Sequence, residues 1–163
     1  MSAADPTSEL SAAGHLLVLL HRAHDGVETA LEAEMRGRTG IGCSHFDVLR
    51  TLMEAPDEQL RMVDIAERMC ISRSGVTQSV DRLEELGLVS RVTQREDRRL
   101  VLAAITPAGR TLVPIGQEAI EAVAARLITQ QLTERQAASL ATALAKLAQN
   151  PRDRAPGRPA LRD

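Results

Sequence analysis

The chain has no tryptophan or tyrosine, and Phe46 is its only aromatic residue. Its core must therefore be filled by Leu, Val, Ile, Ala and Met. Ala and Leu are plentiful while β-branched runs are confined to residues 88–105, so the composition predicts a mostly helical protein. Cysteine is scarce: Cys43 and Cys70 are the only two, with no Cys-x-x-Cys. That excludes a disulfide framework and makes a reducing compartment the default. Long hydrophobic runs are missing as well. The run at residues 16–20 is too short to span a bilayer, is broken by His21 and Arg22 and follows no basic amino-terminal segment, so the expected location is cytoplasmic. A phosphate loop, a nucleophile elbow and a His/Glu metal pair at catalytic spacing are all absent from the sequence, so neither enzymatic activity nor a cofactor is expected.

There is also no excess of one charge, the formal net being −2. Its distribution is uneven. Residues 61–110 carry nine arginines against seven acids, whereas the first helical stretch carries Glu9, Asp25, Glu28, Glu32 and Glu34 against Arg22. This modest asymmetry suggests that one end of the molecule faces phosphate and the other does not. A length of 163 residues suffices for one folded unit, or for a DNA-reading module joined to an oligomerisation module.

Residues 1–8 read as a disordered tail, and Thr7 or Ser8 can cap a helix running to about Met35. Leu10, Ala13, Leu17, Leu20, His24, Val27 and Leu31 form a heptad-like seam along it that wants a helical partner. Glycines at residues 36–42 predict a loop. Ser44 then caps a second helix to about Glu54, with Phe46, Leu49, Leu52 and Met53 buried, and Pro56 follows its end. Residues 57–62 predict a turn into a short strand. A helix at residues 63–69 buries Ile65, Ala66 and Met69, and a further helix spans residues 72–86 with Gly87 as its left-handed stop. Residues 88–94 and 100–105 read as strands joined by the charged tip Arg95-Glu96-Asp97-Arg98-Arg99. Thr106 and Pro107 then form an N-cap and first helical position. The helix they start should reach about Gln130, with Leu112, Ile115, Ala119, Val123 and Leu127 along one face and Pro114 imposing a kink or a delayed start. Thr133 and Gln136 make a capping box for a last helix carrying Leu140, Leu144 and Leu147. Residues 150–163 are rich in Pro and Arg and are expected to be disordered.

The centre of this plan is residues 61–105, a helix, a tight turn, a second helix and two β-branched runs: a winged helix-turn-helix. On the second helix, Val76, Val80, Leu83 and Gly87 recur at helical spacing and face inward. Ser74, Thr77, Gln78, Asp81 and Arg82 face outward, a small, hydrogen-bonding surface of the kind that reading base edges requires. The fold class is thus mainly α with a small antiparallel β-wing. Residues 9–36 and 106–149 form a helical dimerisation region, and residues 37–105 form the winged helix-turn-helix lobe.

The stretches ISRSGVTQSVDRLEELGLV and REDRRLVLAAITPAG carry a resemblance. The chain from about Leu10 to Gln149 resembles the MarR family of transcriptional regulators, the first stretch matching the family's recognition helix and the second its Asp-x-Arg wing tip and Thr-Pro-x-Gly helix start. The resemblance implies a homodimer, joined through its amino- and carboxy-terminal helices, that binds palindromic double-stranded DNA operators and is released by a small-molecule effector, by default as a repressor. Ser72, Arg73, Ser74, Thr77, Gln78 and Arg82 are the candidates for major-groove and backbone contact. Arg99 is the candidate minor-groove probe with Asp97 holding its guanidinium, while Arg95 and Arg98 are placed to meet phosphate. Two residues depart from the family pattern. Cys70 stands where a turn glycine is usual, and Gly75 lies in the first turn of the recognition helix at a cost of roughly 1 kcal/mol relative to alanine.

The remaining polar residues admit further readings. Cys43 and Cys70 are candidates for redox sensing, against the commoner role of cysteine as a small hydrophobe; neither stands near the start of the first helix, where a sensing cysteine is expected. His21 and His24 are spaced for shared metal ligation, and His15 and His45 complete the set, but no acid or thiol cluster at zinc spacing joins them, so no metal site is expected. Leu17, His21, His24, Phe46 and Met53 are the candidate lining of an effector pocket. The alternative functions are a winged-helix interaction module that has lost DNA binding, or a thiol- or metal-responsive regulator. Retention of the Asp97 and Arg99 pair speaks against the first.

Overall fold

The computed structural model describes residues 10–93 and 101–148. The first helix, α1 (Ala12–Thr39), begins at Ser11, whose hydroxyl accepts the Gly14 N–H at 3.2 Å. The cap is thus Ser11; Thr7 and Ser8 lie outside the described residues. The helix also passes through the predicted loop and stops only at Gly40, in the left-handed region at φ 75°. A domain boundary drawn at residue 36 therefore falls inside α1. Arg36 and Arg38 pair with Glu32 and Glu34 one turn back, the latter at 2.7 Å, and support the last turns despite Gly37.

The second helix, α2 (Cys43–Met53), follows at once, so Ser44 is a helical residue and not the cap. Gly42 occupies the cap position with no side chain to offer, and the role passes to Glu32, whose carboxylate accepts the Cys43 N–H at 2.8 Å from α1. A negative group at a helix amino-terminus satisfies an orphan donor and meets the positive end of the dipole. Phe46, Val48, Leu49 and Leu52 of α2 are all at most 1% exposed and form the middle of the core. Met53 is not among them; it is exposed at the helix end.

A short turn at Pro56–Glu58 leads into β1 (Gln59–Arg61), α3 (Met62–Met69) and α4 (Arg73–Glu85), followed by β2 (Val89–Thr93) and β3 (Val101–Ile105). The strands form an antiparallel sheet in the order β1-β3-β2, with Leu60 and Arg91 both opposite Ala103. The elements of a winged helix-turn-helix are thus in place, flanked by helices at both termini. Among the described residues no polar side chain is buried, so the core is held by apolar packing and the charges belong to the surface.

The fifth helix, α5 (Pro107–Ala124), starts at Pro107 and continues through Pro114 without the delayed start that proline suggested. Pro114 is exposed, which leaves the carbonyl it deprives of a partner open to water. The irregularity comes later, as a π-helical turn at Ala125–Thr129. The buried stripe of α5 is Gly109, Val113, Gly116, Ala119 and Val123, so Ile115, 40% exposed, is not on it. Small residues line this stripe because the neighbours come very close. A Cβ at Gly116 would stand 2.1 Å from the Phe46 ring, and one at Gly109 2.3 Å from the Leu88 carbonyl oxygen.

The last helix, α6 (Glu134–Ala148), opens on the predicted capping box. The Gln136 side-chain oxygen accepts the Thr133 N–H at 2.9 Å, and the Thr133 hydroxyl accepts the Gln136 N–H at 3.4 Å. Leu140, Leu144 and Leu147 of α6 remain exposed, as do Leu16, Leu17, Leu19 and Leu20 of α1. Among the described residues Leu17, Leu20 and Val27 of the α1 seam therefore stay exposed, while Leu31 is half-buried. No helix among the described residues is long and apolar enough to cross a membrane.

Candidate nucleic-acid interface

The turn between α3 and α4 is built on Cys70, which takes the left-handed conformation at φ 57° and ψ 36°. Its N–H reaches the Glu67 carbonyl at 3.4 Å, and the Ile71 N–H reaches that of Ala66 at 3.2 Å. This pair of bonds closes a helix in the way a glycine usually allows, with cysteine in its place. Ser72 then caps α4, its hydroxyl accepting the Gly75 N–H at 3.1 Å and lying 3.0 Å from the Ser74 hydroxyl.

Val76, Val80 and Leu83 are fully buried and fix the inner face of α4. Gly87 is not part of that face; it is exposed at φ 70° and turns the chain towards β2. Ser74, Thr77, Gln78, Asp81 and Arg82 are exposed on the outer face, as are Ser72 and Arg73 at its start. Ser72 and Ser74 share the bond given above, and three more of these are engaged. Thr77 donates its hydroxyl proton to the Arg73 carbonyl at 3.0 Å, so it turns oxygen lone pairs and a methyl outward. Arg82 pairs with Glu85 at 2.9 Å, and Asp81 pairs with Arg91. Arg73 and Gln78 make no side-chain hydrogen bond or ion pair among the described residues. The outer face thus offers free donors near its amino-terminal end and neutralised charge near its carboxy-terminal end. Gln94, Arg95, Asp97, Arg98 and Arg99 lie outside the described residues.

The frame around α4 was not visible in residue types. Arg91 on β2 reaches both Asp81 and Glu84, and its own backbone N–H donates to Glu84 at 3.3 Å. Thr106 closes the other side. Its hydroxyl donates to the Gly87 carbonyl at 2.8 Å while accepting the Gly109 N–H at 3.1 Å, and its N–H reaches the Leu88 carbonyl at 3.1 Å. The Thr-Pro-x-Gly start of α5 is therefore bolted to the exit of α4. Arg61 adds a two-armed pair to Asp64 at 2.7 and 2.8 Å at the start of α3.

The other candidate residues are not gathered in one chain. Leu17, His21 and His24 are exposed on α1, Phe46 is sealed in the core and Met53 is exposed on α2, so the five share no common environment. His21 and His24 face separate acids, Asp25 at 3.5 Å and Glu28 at 3.8 Å. Among the described residues no three His, Cys, Asp or Glu side chains cluster as metal ligands. Cys43 is partly buried, and its thiol is pushed up to about 11, first by burial and then by Glu32, which disfavours the reactive thiolate. Cys70 is exposed, with its Sγ at 3.8 Å from the Glu67 carbonyl oxygen. Burial and the Arg36 and Arg82 charges hold His45 below the usual imidazole range, favouring its neutral form.

Known proteins place this arrangement. The chain is 34% identical over 96 residues to the HTH-type transcriptional regulator PrsX of Escherichia coli; the match covers 58% of this chain and only 57% of that one. It is 36% identical over 116 residues to the HTH-type transcriptional repressor MdtR of Bacillus subtilis, covering 71% of this chain and 73% of MdtR. Among solved structures, Sco3205, a MarR family transcriptional regulator from Streptomyces coelicolor in complex with DNA, superposes with a TM-score of 0.73 at 26% identity, over 85% of this chain and 91% of that one. A model of the MarR family matches residues 38–100, the stretch from the end of α1 through the helix-turn-helix. With that match, and with relatives that agree in sequence and in fold, this chain belongs to the MarR family of transcriptional regulators.

Proposed function

We propose that this chain is a sequence-specific DNA-binding regulator that acts as a homodimer on palindromic operators in the cytoplasm, as a repressor released by a small-molecule effector. The observation that carries the reading is α4: three fully buried aliphatic residues on one face and an unbroken row of small and hydrogen-bonding side chains on the other. A helix whose inner side is fixed and whose outer side carries no bulky apolar group suits the major groove. Ser72, Arg73, Ser74, Thr77, Gln78 and Arg82 are its contact residues in this reading, and Arg99, Asp97, Arg95 and Arg98 supply the minor-groove and phosphate contacts.

Dimerisation is supported by the apolar surface that one chain leaves open. Leu16, Leu17, Leu19 and Leu20 are between 38% and 67% exposed. At 3.6 residues per turn they fan over roughly 160° of α1, wider than a single coiled-coil seam and suited to packing between helices of a second subunit. Two-fold symmetry then sets half-sites about 10 base pairs apart, centre to centre. Selection of bound sequences from random duplex DNA tests the proposal: enrichment of an inverted repeat with that spacing is the expected result. Protein that enriches no sequence, while remaining folded and dimeric, would show a winged helix turned to protein interaction.

A further inference from the structure

The two parts that must meet DNA together, α4 and the strand β2 that leads into the wing, are joined covalently by little more than Leu86, Gly87 and Leu88. In addition, β2 is an edge strand, since the sheet order is β1-β3-β2. Among the described residues one of its edges therefore has no sheet partner, and edge strands are free to twist unless something holds them. What holds this one is α4. The Arg91 backbone N–H, half-buried beside α4, donates to one oxygen of Glu84, and the Arg91 guanidinium donates to the other oxygen with one arm and to Asp81 with its second. A single residue thus closes the strand edge through its main chain and grips two carboxylates on successive turns of α4 through its side chain. The planar fork of arginine is suited to this two-sided grip and a lysine ammonium is not.

Like Glu85, Asp81 is an exposed acid on the outward face of α4, where negative charge meets phosphate at a disadvantage. If that surface served affinity alone, a neutral residue would serve better. Its engagement by Arg91 gives it another purpose.

We propose that Arg91, with Asp81 and Glu84, is a positioning device that sets the angle of the wing against α4, so that contacts in two adjacent grooves form at once. The inference rests on the DNA-binding reading above. It makes a prediction opposite in sign to simple electrostatics. Removing two negative charges from a DNA-facing surface should tighten binding to any duplex; releasing the wing should weaken binding to the operator, because paired contacts demand placement within about 0.5 Å.

The experiment uses the full-length protein and the operator obtained by selection, with a scrambled duplex of equal length as the non-specific probe. Wild type, D81N/E84Q and R91K are compared by fluorescence anisotropy at two salt concentrations, with thermal unfolding followed in parallel. D81N/E84Q should bind the operator about tenfold or more weakly while binding the scrambled duplex as tightly as wild type or tighter. R91K keeps the charge but loses the fork, and should show the same loss on the operator without a change in salt slope. Should D81N/E84Q fail to fold, E84Q alone and R91K carry the same comparison. Operator binding by D81N/E84Q equal to or tighter than wild type overturns the inference, as does a fall in thermal stability with undiminished operator affinity in the folded protein. A wild-type protein that selects no sequence overturns the DNA-binding reading itself, and this inference with it.

Discussion

The substitution Gly116→Ala separates packing from helix propensity by the sign of its effect. Gly116 lies inside α5, where alanine would ordinarily stabilise a helix by about 1 kcal/mol relative to glycine. Here the new Cβ would stand 2.1, 2.4 and 2.8 Å from three atoms of the Phe46 ring. Phe46 is 1% exposed and has no room to swing outward, so α5 and α2 must separate or the ring must leave its rotamer. Overpacking of this kind costs about 1–3 kcal/mol, and with a rigid aromatic as the obstacle the upper part of that range applies. The propensity gain offsets part of it, leaving a net loss of roughly 1–2 kcal/mol. For a chain of this size that corresponds to a fall in Tm of about 2–8 °C. The control is Gly37→Ala, also within a helix but with nothing within 4 Å of its added Cβ, which should gain about 0.5–1 kcal/mol. Both are measured by urea and thermal unfolding at one fixed protein concentration, because any self-association shifts the midpoint. A Gly116→Ala protein as stable as Gly37→Ala, or more so, would refute the account of the α5–α2 contact.

Thr106→Ala removes the α5 cap and the bond to the Gly87 carbonyl together, and should cost about 1–2 kcal/mol by urea unfolding; a loss under 0.5 kcal/mol would mean that the proline alone fixes the helix start. Cys70→Gly relieves a left-handed non-glycine residue, so it should gain about 0.5–1 kcal/mol once the greater freedom of unfolded glycine is subtracted, and a loss would show that the thiol contributes packing. Cys43 and Cys70 should differ in reactivity. Near neutral pH a maleimide should label exposed Cys70 first, as followed by peptide mass spectrometry, and equal or faster labelling of Cys43 would contradict its burial. The same raised thiol makes a pH prediction: its contribution to stability is complete below the ordinary value of 9.0 and is lost as pH rises towards about 11, because the unfolded chain ionises first.

How much of this was legible in sequence depended on whether neighbours in space were neighbours in the chain. The inner face of α4 was legible because Val76, Val80 and Leu83 repeat at helical spacing, and the α6 capping box because Thr133 and Gln136 lie one turn apart. The end of α1 was misread because Gly37 and Gly40 look alike in sequence. Only Gly40 needs a left-handed backbone; Gly37 costs about 1 kcal/mol, which the Glu32–Arg36 and Glu34–Arg38 pairs help to offset. The buried face of α5 was misread because large residues were taken as its markers, whereas close approach of Phe46 and Leu88 demands Gly116 and Gly109. Two partnerships left no local signal at all. Glu32 caps a helix eleven residues away, and Arg91 reaches seven and ten residues back to Glu84 and Asp81, each one charge among many in the sequence.

These distant partnerships explain why the outer face of α4 can be held by so small a lobe. Neither end of α4 is left to the helix alone. Its start depends on a cysteine forced into the left-handed region and a serine cap, which together hold only local atoms. Its end is held from two directions, by Arg91 through β2 and by Thr106 through α5. The end of α4 with the more distant partners is thus the one tied to α5, and α5 in turn packs on α1 and on Phe46 of α2. It follows that disturbance of the helices bearing the uncovered leucines reaches α4 at its carboxy-terminal end first, whereas changes at Cys70 or Ser72 act at its amino-terminal end without passing through α5. Thr106→Ala and Cys70→Gly act at opposite ends of α4. Their effects on stability should therefore add, since additivity is the rule for sites without shared partners, and a departure of more than about 0.5 kcal/mol would mean that α4 responds as one stiff rod.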